Sequence, residues 1–186
     1  YPSGLDPDRF NAIRVETFSA GKVEFSHNQV LLGATNATGQ YQYYETNVTG
    51  GTSIATPNWW GSVAGPAAGA VVGDVTYVPW CGDAECTFVV YPLSYYTDLQ
   101  SAIDSAPDGA AIYVPGPATY SQTGGFNIAN DRIRIILGDG VVIQNSSPCF
   151  IVNADHVRIT AETIGGAKCV PTEGWPGIYA QNPIND

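Results

Sequence analysis

The chain has 186 residues, of which 44% are hydrophobic and only 13% charged, so it can bury a sizeable core beneath an unusually uncharged surface. Lys and Arg total 7 against 17 Asp and Glu, and the net charge of −10 disfavours binding to nucleic acid or to anionic membranes. The sequence contains no run of about 18 apolar residues, so it predicts no membrane-spanning helix. The chain lacks methionine and a signal peptide, so we expect it to have been cleaved or excised from something larger.

The first predicted elements are short strands with alternating apolar residues. Ile13-Arg-Val15, Val23-Glu-Phe25 and Val30-Leu-Leu32 have this pattern. The segment between the last two, Phe25-Ser-His-Asn-Gln-Val30, resembles a β-helix turn, in which asparagine is common at the bend.

A tryptophan-rich segment follows these strands. Asn58-Trp-Trp-Gly-Ser-Val-Ala-Gly-Pro66 precedes Gly73-Asp-Val-Thr-Tyr77 and Pro79-Trp80. The pattern resembles text that closes β-helix modules in large bacterial surface proteins. It implies that three rings cover the apolar end of a last coil, because a solenoid must cap its ends to stay soluble. The alternative is a platform on which sugars stack. The rings concerned are Trp59, Trp60 and Trp80.

Residues 97–106 are the best helix candidate in the chain. Thr97 is the predicted N-cap, and Leu99, Ala102 and Ile103 fall on one face. A turn follows at Pro107-Asp-Gly109, and residues 110–114 predict a strand.

A repeat relates residues 126–136 to residues 150–160, with an offset of 150 − 126 = 24. A weaker third copy starts near Ile178. A period in the low twenties with alternating apolar residues predicts a solenoid whose turns stack in register. The aligned pairs are Phe126 and Phe150, Ile128 and Val152, Asp131 and Asp155, Ile133 and Val157, Arg134 and Arg158, and Ile135 and Ile159.

The text from Leu99 to Tyr120 resembles the start of the pectin-lyase-like, right-handed parallel β-helix superfamily. The resemblance implies an all-β solenoid whose N-terminal end is covered by the short helix at residues 97–106. The sequence departs from the family pattern after Pro115, where Gly116 comes one place early and Pro117 replaces a glycine. Residues 1–86 then form the C-terminal-type coils and cap of one module, and residues 87–186 begin the next. This order predicts one repeat cut out of phase from a tandem array.

Four cysteines predict two disulfides in an oxidising compartment rather than a zinc site, because their spacing does not suit zinc. Cys149 and Cys169 are separated by nearly one coil, and a turn can join Cys81 to Cys86. We therefore predict the pairs Cys81–Cys86 and Cys149–Cys169. Three sequons allow glycosylation, at Asn36, Asn47 and Asn145.

Enzymes of the pectin-lyase-like fold act on acidic polysaccharides and need clustered acids or a base. The stacked pairs Asp131 with Asp155 and Arg134 with Arg158 are interpreted as solvated ladders rather than as a catalytic groove. His27 and His156 have no catalytic or metal partner at a suitable spacing, and Asn153-Ala-Asp155 is an isolated match to one glycosidase motif. Two acids between the first cysteine pair, Asp83 and Glu85, make a poor Ca²⁺ site. We predict no catalytic residue, no metal site and no cofactor, with Ca²⁺ near Asp83 and Glu85 as the alternative.

Together these features predict a structural repeat or subunit of an extracellular or cell-surface fibre or adhesin. Its partners would be copies of itself stacked head to tail, with surface glycans as a further partner class, and it would have no hydrolase or lyase activity. The alternatives are a truncated carbohydrate-active β-helix whose active coils lie outside this chain and a trimeric tailspike-type β-helix that binds glycans.

Overall fold

A computed structural model describes residues 12–18, 21–31, 41–48, 51–171 and 174–180. The regular structure is mostly β, with parallel strands stacked into a β-solenoid and one short α-helix among the described residues. The predicted fold class is therefore confirmed. The chain divides into two compact units, Tyr1–Val89 and Val90–Asp186.

The first unit contains two three-stranded parallel sheets, in the orders β1-β3-β5 and β2-β4-β6. Its strands are β1 (Ile13–Phe18), β2 (Gly21–Glu24), β3 (Tyr43–Val48), β4 (Gly51–Ile54), β5 (Val71–Val72), β6 (Val75–Thr76) and β7 (Trp80–Cys81). The strands predicted around Val15 and Val23 are confirmed. The third predicted strand is reduced to an isolated parallel bridge between Gln29 and Trp59, and Leu32 lies outside the described residues.

A buried asparagine joins adjacent turns of the first unit at the predicted bend. The Asn58 side chain accepts a hydrogen bond from the backbone N–H of Asn28 at 2.9 Å and donates to the carbonyl oxygen of Phe25 at 2.8 Å. Gln42, also buried, donates to the carbonyl oxygens of Val30 and Trp60. These amides satisfy backbone groups that bends leave without a strand partner, which is the condition for burying such a turn.

The second unit contains three faces of parallel strands, ordered β8-β9-β12-β15, β10-β13-β16 and β11-β14-β17. Its strands are β8 (Val89–Pro92), β9 (Ala111–Val114), β10 (Ala118–Tyr120), β11 (Phe126–Ile128), β12 (Arg134–Leu137), β13 (Val141–Asn145), β14 (Phe150–Val152), β15 (Arg158–Ala161), β16 (Lys168–Pro171) and β17 (Ile178–Ala180). Three strands per turn enclose one hydrophobic core.

The repeat seen in the sequence gives the observed strand register. Phe126 pairs with Phe150, Ile128 with Val152, and Ile135 with Ile159, as predicted. Phe150 in turn pairs with Ile178, so the weaker third copy is confirmed as a further turn. Inward residues of the same kind recur at each level because every turn packs only on its neighbours.

The helix α1 spans Leu99–Ser105, and its predicted apolar face is buried in the core. The predicted N-cap was one residue too early. Asp98, not Thr97, is the cap, and its carboxylate accepts a hydrogen bond from the backbone N–H of Ser101 at 2.7 Å. An aspartate can satisfy an otherwise unpaired N–H of the first helical turn, and its charge also suits the helix dipole.

Gly116, which follows β9, lies close to the backbone of the neighbouring turn. A Cβ atom at Gly116 would lie 2.0 Å from the carbonyl oxygen of Asp139. Glycine is required there because the backbones of two turns approach closely.

Candidate functional site

The last turn of the second unit has three free strand edges. Strands β15, β16 and β17 each lie at the end of their sheet and pair on one side only within the part of the chain that the structure describes. No described strand pairs with their other edges, whose backbone N–H and C=O groups are the kind of surface that strand addition uses. We refer to this turn, residues 158–171 and 174–180, as the open end.

Burial falls abruptly along the ladder that reaches the open end. Phe126 and Phe150 are 3% and 1% exposed, whereas Ile178, in register with them, is 54% exposed. The ladder position faces the solenoid interior, and among the described residues no strand pairs with β17 on the side away from β14. A further turn stacked on β17 would bury this side chain.

The open end also concentrates exposed apolar side chains. Seven large hydrophobic residues are exposed among the described residues, and five of them lie at the open end. Trp175 and Tyr179 meet edge to face, with ring centroids 6.5 Å apart. A cluster of this kind is typical of an interaction surface. The five residues are Ile164, Val170, Trp175, Ile178 and Tyr179.

Two cations on the open end have no acidic partner among the described residues. Arg158 on β15 and Lys168 on β16 are exposed. By contrast, the Lys22 ammonium lies 2.7 Å from the Glu24 carboxylate. With Glu162 as the one acid among its described residues, the open end has a net charge of +1 (2 − 1), opposite in sign to the −10 of the whole chain.

The opposite end of the same unit is closed by helix α1. Leu99, Ala102 and Ile103 bury the apolar cross-section. The Gln100 side chain accepts a hydrogen bond from the Asn127 N–H and donates to the Asn127 carbonyl oxygen, both at 2.9 Å. The amide thus acts as a neighbouring strand would and protects the first edge of the β11-β14-β17 sheet. The sequence offered no signal for this contact beyond the helix itself.

Both predicted disulfides are present. Cys81 and Cys86 close a short loop in the first unit, with a Cα–Cα distance of 4.7 Å. Cys149 and Cys169 join successive turns of the second unit, with a Cα–Cα distance of 6.1 Å. These bonds are compatible with an oxidising compartment. Among the described residues, no helix is long and apolar enough to cross a membrane.

The tryptophans of the first unit are packed into the protein to different degrees. Trp60 and Trp80 are buried and Trp59 is half-buried. The Trp80 indole N–H donates to the carbonyl oxygen of Val63 at 3.0 Å, and its ring packs against Gly65. Buried rings leave no open face on which a sugar could stack, so Trp60 and Trp80 do not form the alternative platform.

The acids and histidines considered for catalysis occupy turns. The Asp131 carboxylate accepts a hydrogen bond from the Asp155 backbone N–H at 2.8 Å, and both residues are exposed. His27 and His156 have positive φ values of 58° and 57° and lie at bends. Asn153 donates to the Asn127 side chain on the adjacent turn. These contacts give the residues structural roles at the positions where turns stack.

Arg134 and Arg158 lie side by side in register on the face formed by β12 and β15, as the repeat predicted. In the Cys81–Cys86 loop, the Asp83 carboxylate accepts hydrogen bonds from the N–H and hydroxyl of Thr87. The described residues contain no group of three or more side chains suited to holding a metal ion. Glu85 lies within the same loop and is exposed.

Of the three sequon asparagines, only Asn145 has a side chain that the structure describes. Asn36 lies outside the described residues, and the Asn47 side chain does too, although its backbone belongs to β3. Asn145 is buried, and its amide donates to the Cys149 carbonyl oxygen at 3.0 Å and accepts from the Gln122 N–H at 2.7 Å. A glycan on that amide nitrogen is incompatible with this packing.

Sequence reasoning missed strand β16 and therefore missed Val170 and Lys168 as parts of the surface. The missed signal was the spacing between Ile143 and Cys169, which pair in register on successive turns.

In comparisons with protein-family models, curated proteins and solved structures, no significant match to this chain was found.

Proposed function

We propose that this protein is a structural repeat or subunit of an extracellular fibre or adhesin and that its copies stack head to tail. The observation that carries the proposal is the exposure of Ile178 at a position that is buried in the two turns beneath it. A second copy is the proposed occupant of the open end.

The first turn of another copy offers matching edges. Strands β1 and β2 each pair on one side only within the described residues, and both belong to parallel sheets. Parallel strand pairing can therefore continue from one copy to the next.

Charge supports a second copy as the occupant. Each copy carries a net charge of −10, so like copies repel in general. Arg158 and Lys168, which have no acidic partner among the described residues, lie on the strands that would meet the incoming acidic chain. Their position favours approach at the open end over approach elsewhere on the surface.

A head-to-tail contact uses two different surfaces and does not close upon itself, so repeated contacts extend a filament. The copies are either separate subunits or consecutive repeats of one long chain. Two disulfides favour an extracellular or cell-surface location. The turn roles of Asp131 and Asp155 favour a structural rather than an enzymatic protein.

The test compares the wild type with Ile178→Asp and a matched control, Thr119→Asp. Both variants add one negative charge, but Thr119 is an exposed residue of β10 outside the open end. Light scattering and negative-stain microscopy should show wild-type and Thr119→Asp filaments that lengthen with concentration. Ile178→Asp should stay monomeric, because its carboxylate would have to be buried without a partner.

A joined pair of copies tests the case of consecutive repeats. In a tandem fusion, amides of β16 and β17 in the first copy should exchange more slowly than those in the second copy. A wild type that remains a folded monomer at all concentrations, together with a fusion whose two copies exchange alike, would contradict head-to-tail stacking.

A further inference from the structure

The open end has little burial with which to hold its own strands. Every residue of β17 is exposed, and three of the four residues of β16 are exposed. The strands one turn below, β13 and β14, have their inward residues buried. Short edge strands without a covered apolar face are marginally stable.

The Cys149–Cys169 disulfide connects this weak turn to the core. Cys149 is fully buried and belongs to the core cluster, whereas Cys169 is an exposed residue of β16. Cys169 also pairs in register with Ile143, another fully buried residue. The covalent bond thus fixes an exposed edge strand to the best-packed part of the unit.

The same disulfide touches the start of β17. The Cys169 sulfur lies 3.4 Å from the carbonyl oxygen of Gly177, and that oxygen accepts a hydrogen bond from the Phe150 N–H at 3.2 Å. A Cβ atom at Gly177 would come within 2.9 Å of the sulfur. The disulfide therefore holds β16 directly and β17 through this contact.

We infer that the Cys149–Cys169 disulfide keeps the open end in strand form while no second copy covers it, and so prepares it for strand addition. The second clause rests on the proposed head-to-tail function, whereas the first concerns the single chain. A docking surface that is already ordered loses less conformational entropy when its partner arrives.

The test uses the full chain as a dilute monomer. The double variant Cys149→Ser with Cys169→Ser is compared with the matched control Cys81→Ser with Cys86→Ser, which removes the other disulfide. In hydrogen exchange with mass spectrometry, the first variant should exchange about tenfold faster at β16 and β17, while β9 and β12 keep their protection. The control should leave β16 and β17 unchanged.

A milder variant keeps the test decisive if the double variant does not fold. Gly177→Ala leaves the disulfide in place but crowds the contact between Cys169 and the start of β17. It should speed exchange at residues 178–180 more than at residues 168–171. Wild-type protection at both strands in Gly177→Ala and in any folded double variant would overturn the inference.

Assembly measurements separate the two proposals. Slower filament growth of the double variant, together with faster exchange in its monomer, supports both. A wild type that never assembles removes the proposed function and the preparatory role, but faster exchange in the variant still supports the holding role. Filament growth at the wild-type rate by a double variant with a loosened last turn would overturn the preparatory role and leave head-to-tail stacking intact.

Discussion

Replacing Phe150 by alanine should destabilise the second unit far more than replacing Ile178, although both side chains occupy one ladder. Phe150 is 1% exposed and its ring centroid lies 5.9 Å from that of Phe126. Truncating a buried phenylalanine to alanine lowers the free energy of unfolding by about 3–5 kcal/mol, because a cavity remains. Since a domain is stable by only about 5–15 kcal/mol, Phe150→Ala should bring the second unit close to unfolding.

For Ile178→Ala the expected loss is smaller. Removing three buried carbon atoms would lose about 2.4 kcal/mol, at about 0.8 kcal/mol for each. Ile178 is 54% exposed, so roughly half of that loss, about 1 kcal/mol, applies, and no enclosed cavity is left. The two variants should therefore differ by about 2–4 kcal/mol in the isolated monomer.

Hydrogen exchange of the dilute full chain measures this difference. Amides in β9 and β12, whose strands are largely buried, report the opening free energy of the second unit. At concentrations where copies stack, the loss from Ile178→Ala should increase, because the side chain is then covered. Equal losses for Phe150→Ala and Ile178→Ala in the monomer would show that the last turn is already closed and would refute the reasoning.

Three further outcomes follow from local contacts. In thermal unfolding, Gly65→Ala should destabilise the first unit by at least about 1 kcal/mol more than Gly69→Ala. Both glycines have positive φ, but only at Gly65 would a Cβ atom meet the Trp80 indole, at 2.6 Å. Equal losses of stability in the two variants would contradict this clash. The hydrogen bond from the Ser101 N–H lowers the pKa of Asp98, so its stabilisation of the helix is present above the unfolded value of 3.8 and is lost as the pH falls through the lowered pKa. Asp98→Asn should weaken this acid dependence in circular dichroism, and an unchanged acid profile would count against the cap. Burial, with Glu162 as a hydrogen-bond acceptor, raises the pKa of Tyr113 above its usual 10.0, so its contribution to stability is lost as the pH rises past 10. Absorbance at 295 nm follows tyrosine ionisation in the native protein. Compared with the wild type, Tyr113→Phe should lack one tyrosine that ionises only at the alkaline extreme. If the variant instead lacks a tyrosine that ionises near pH 10, the result would argue against this environment.

The sequence predicted those parts of the fold in which inward residues repeat at a constant interval. Phe126, Ile128 and Ile135 recur one repeat later as apolar residues of similar size, so their register could be read directly. The face formed by β10, β13 and β16 was not predicted. The sequences of its strands are not similar, because Thr119 aligns with Val142, and Ile143 aligns with a disulfide cysteine.

The first unit was harder to predict because its turns vary in length. The step from Ile13 to its partner Tyr43 (43 − 13 = 30) is longer than the step from Ser53 to its partner Val75 (75 − 53 = 22). No constant period exists, so β3 and β4 went unrecognised although their neighbours were predicted. Turn asparagines such as Asn58 hold these unequal turns together, and one asparagine carries little pattern.

The open end was only partly predictable, since exposure depends on what lies above a residue. The start of a further coil near Ile178 was visible in the repeat. Nothing in the local text distinguishes Ile178 from Phe150 as exposed, because both are inward residues of the same ladder. The difference arises from the number of neighbouring turns, which only the structure shows.

The two ends of the second unit differ in a way that gives the proposed assembly a direction. At one end, helix α1 covers the core and Gln100 satisfies both backbone groups of Asn127, so another strand cannot pair there without displacing that side chain. At the other end, no turn among the described residues covers Ile178, and none of the described strands pairs with the outer edges of β15, β16 and β17. Because each turn of a solenoid is stabilised by its neighbours, stacking is most favourable where the last turn has only one neighbour. In the proposed assembly, each copy added at that end presents a new open end with the same exposed ladder.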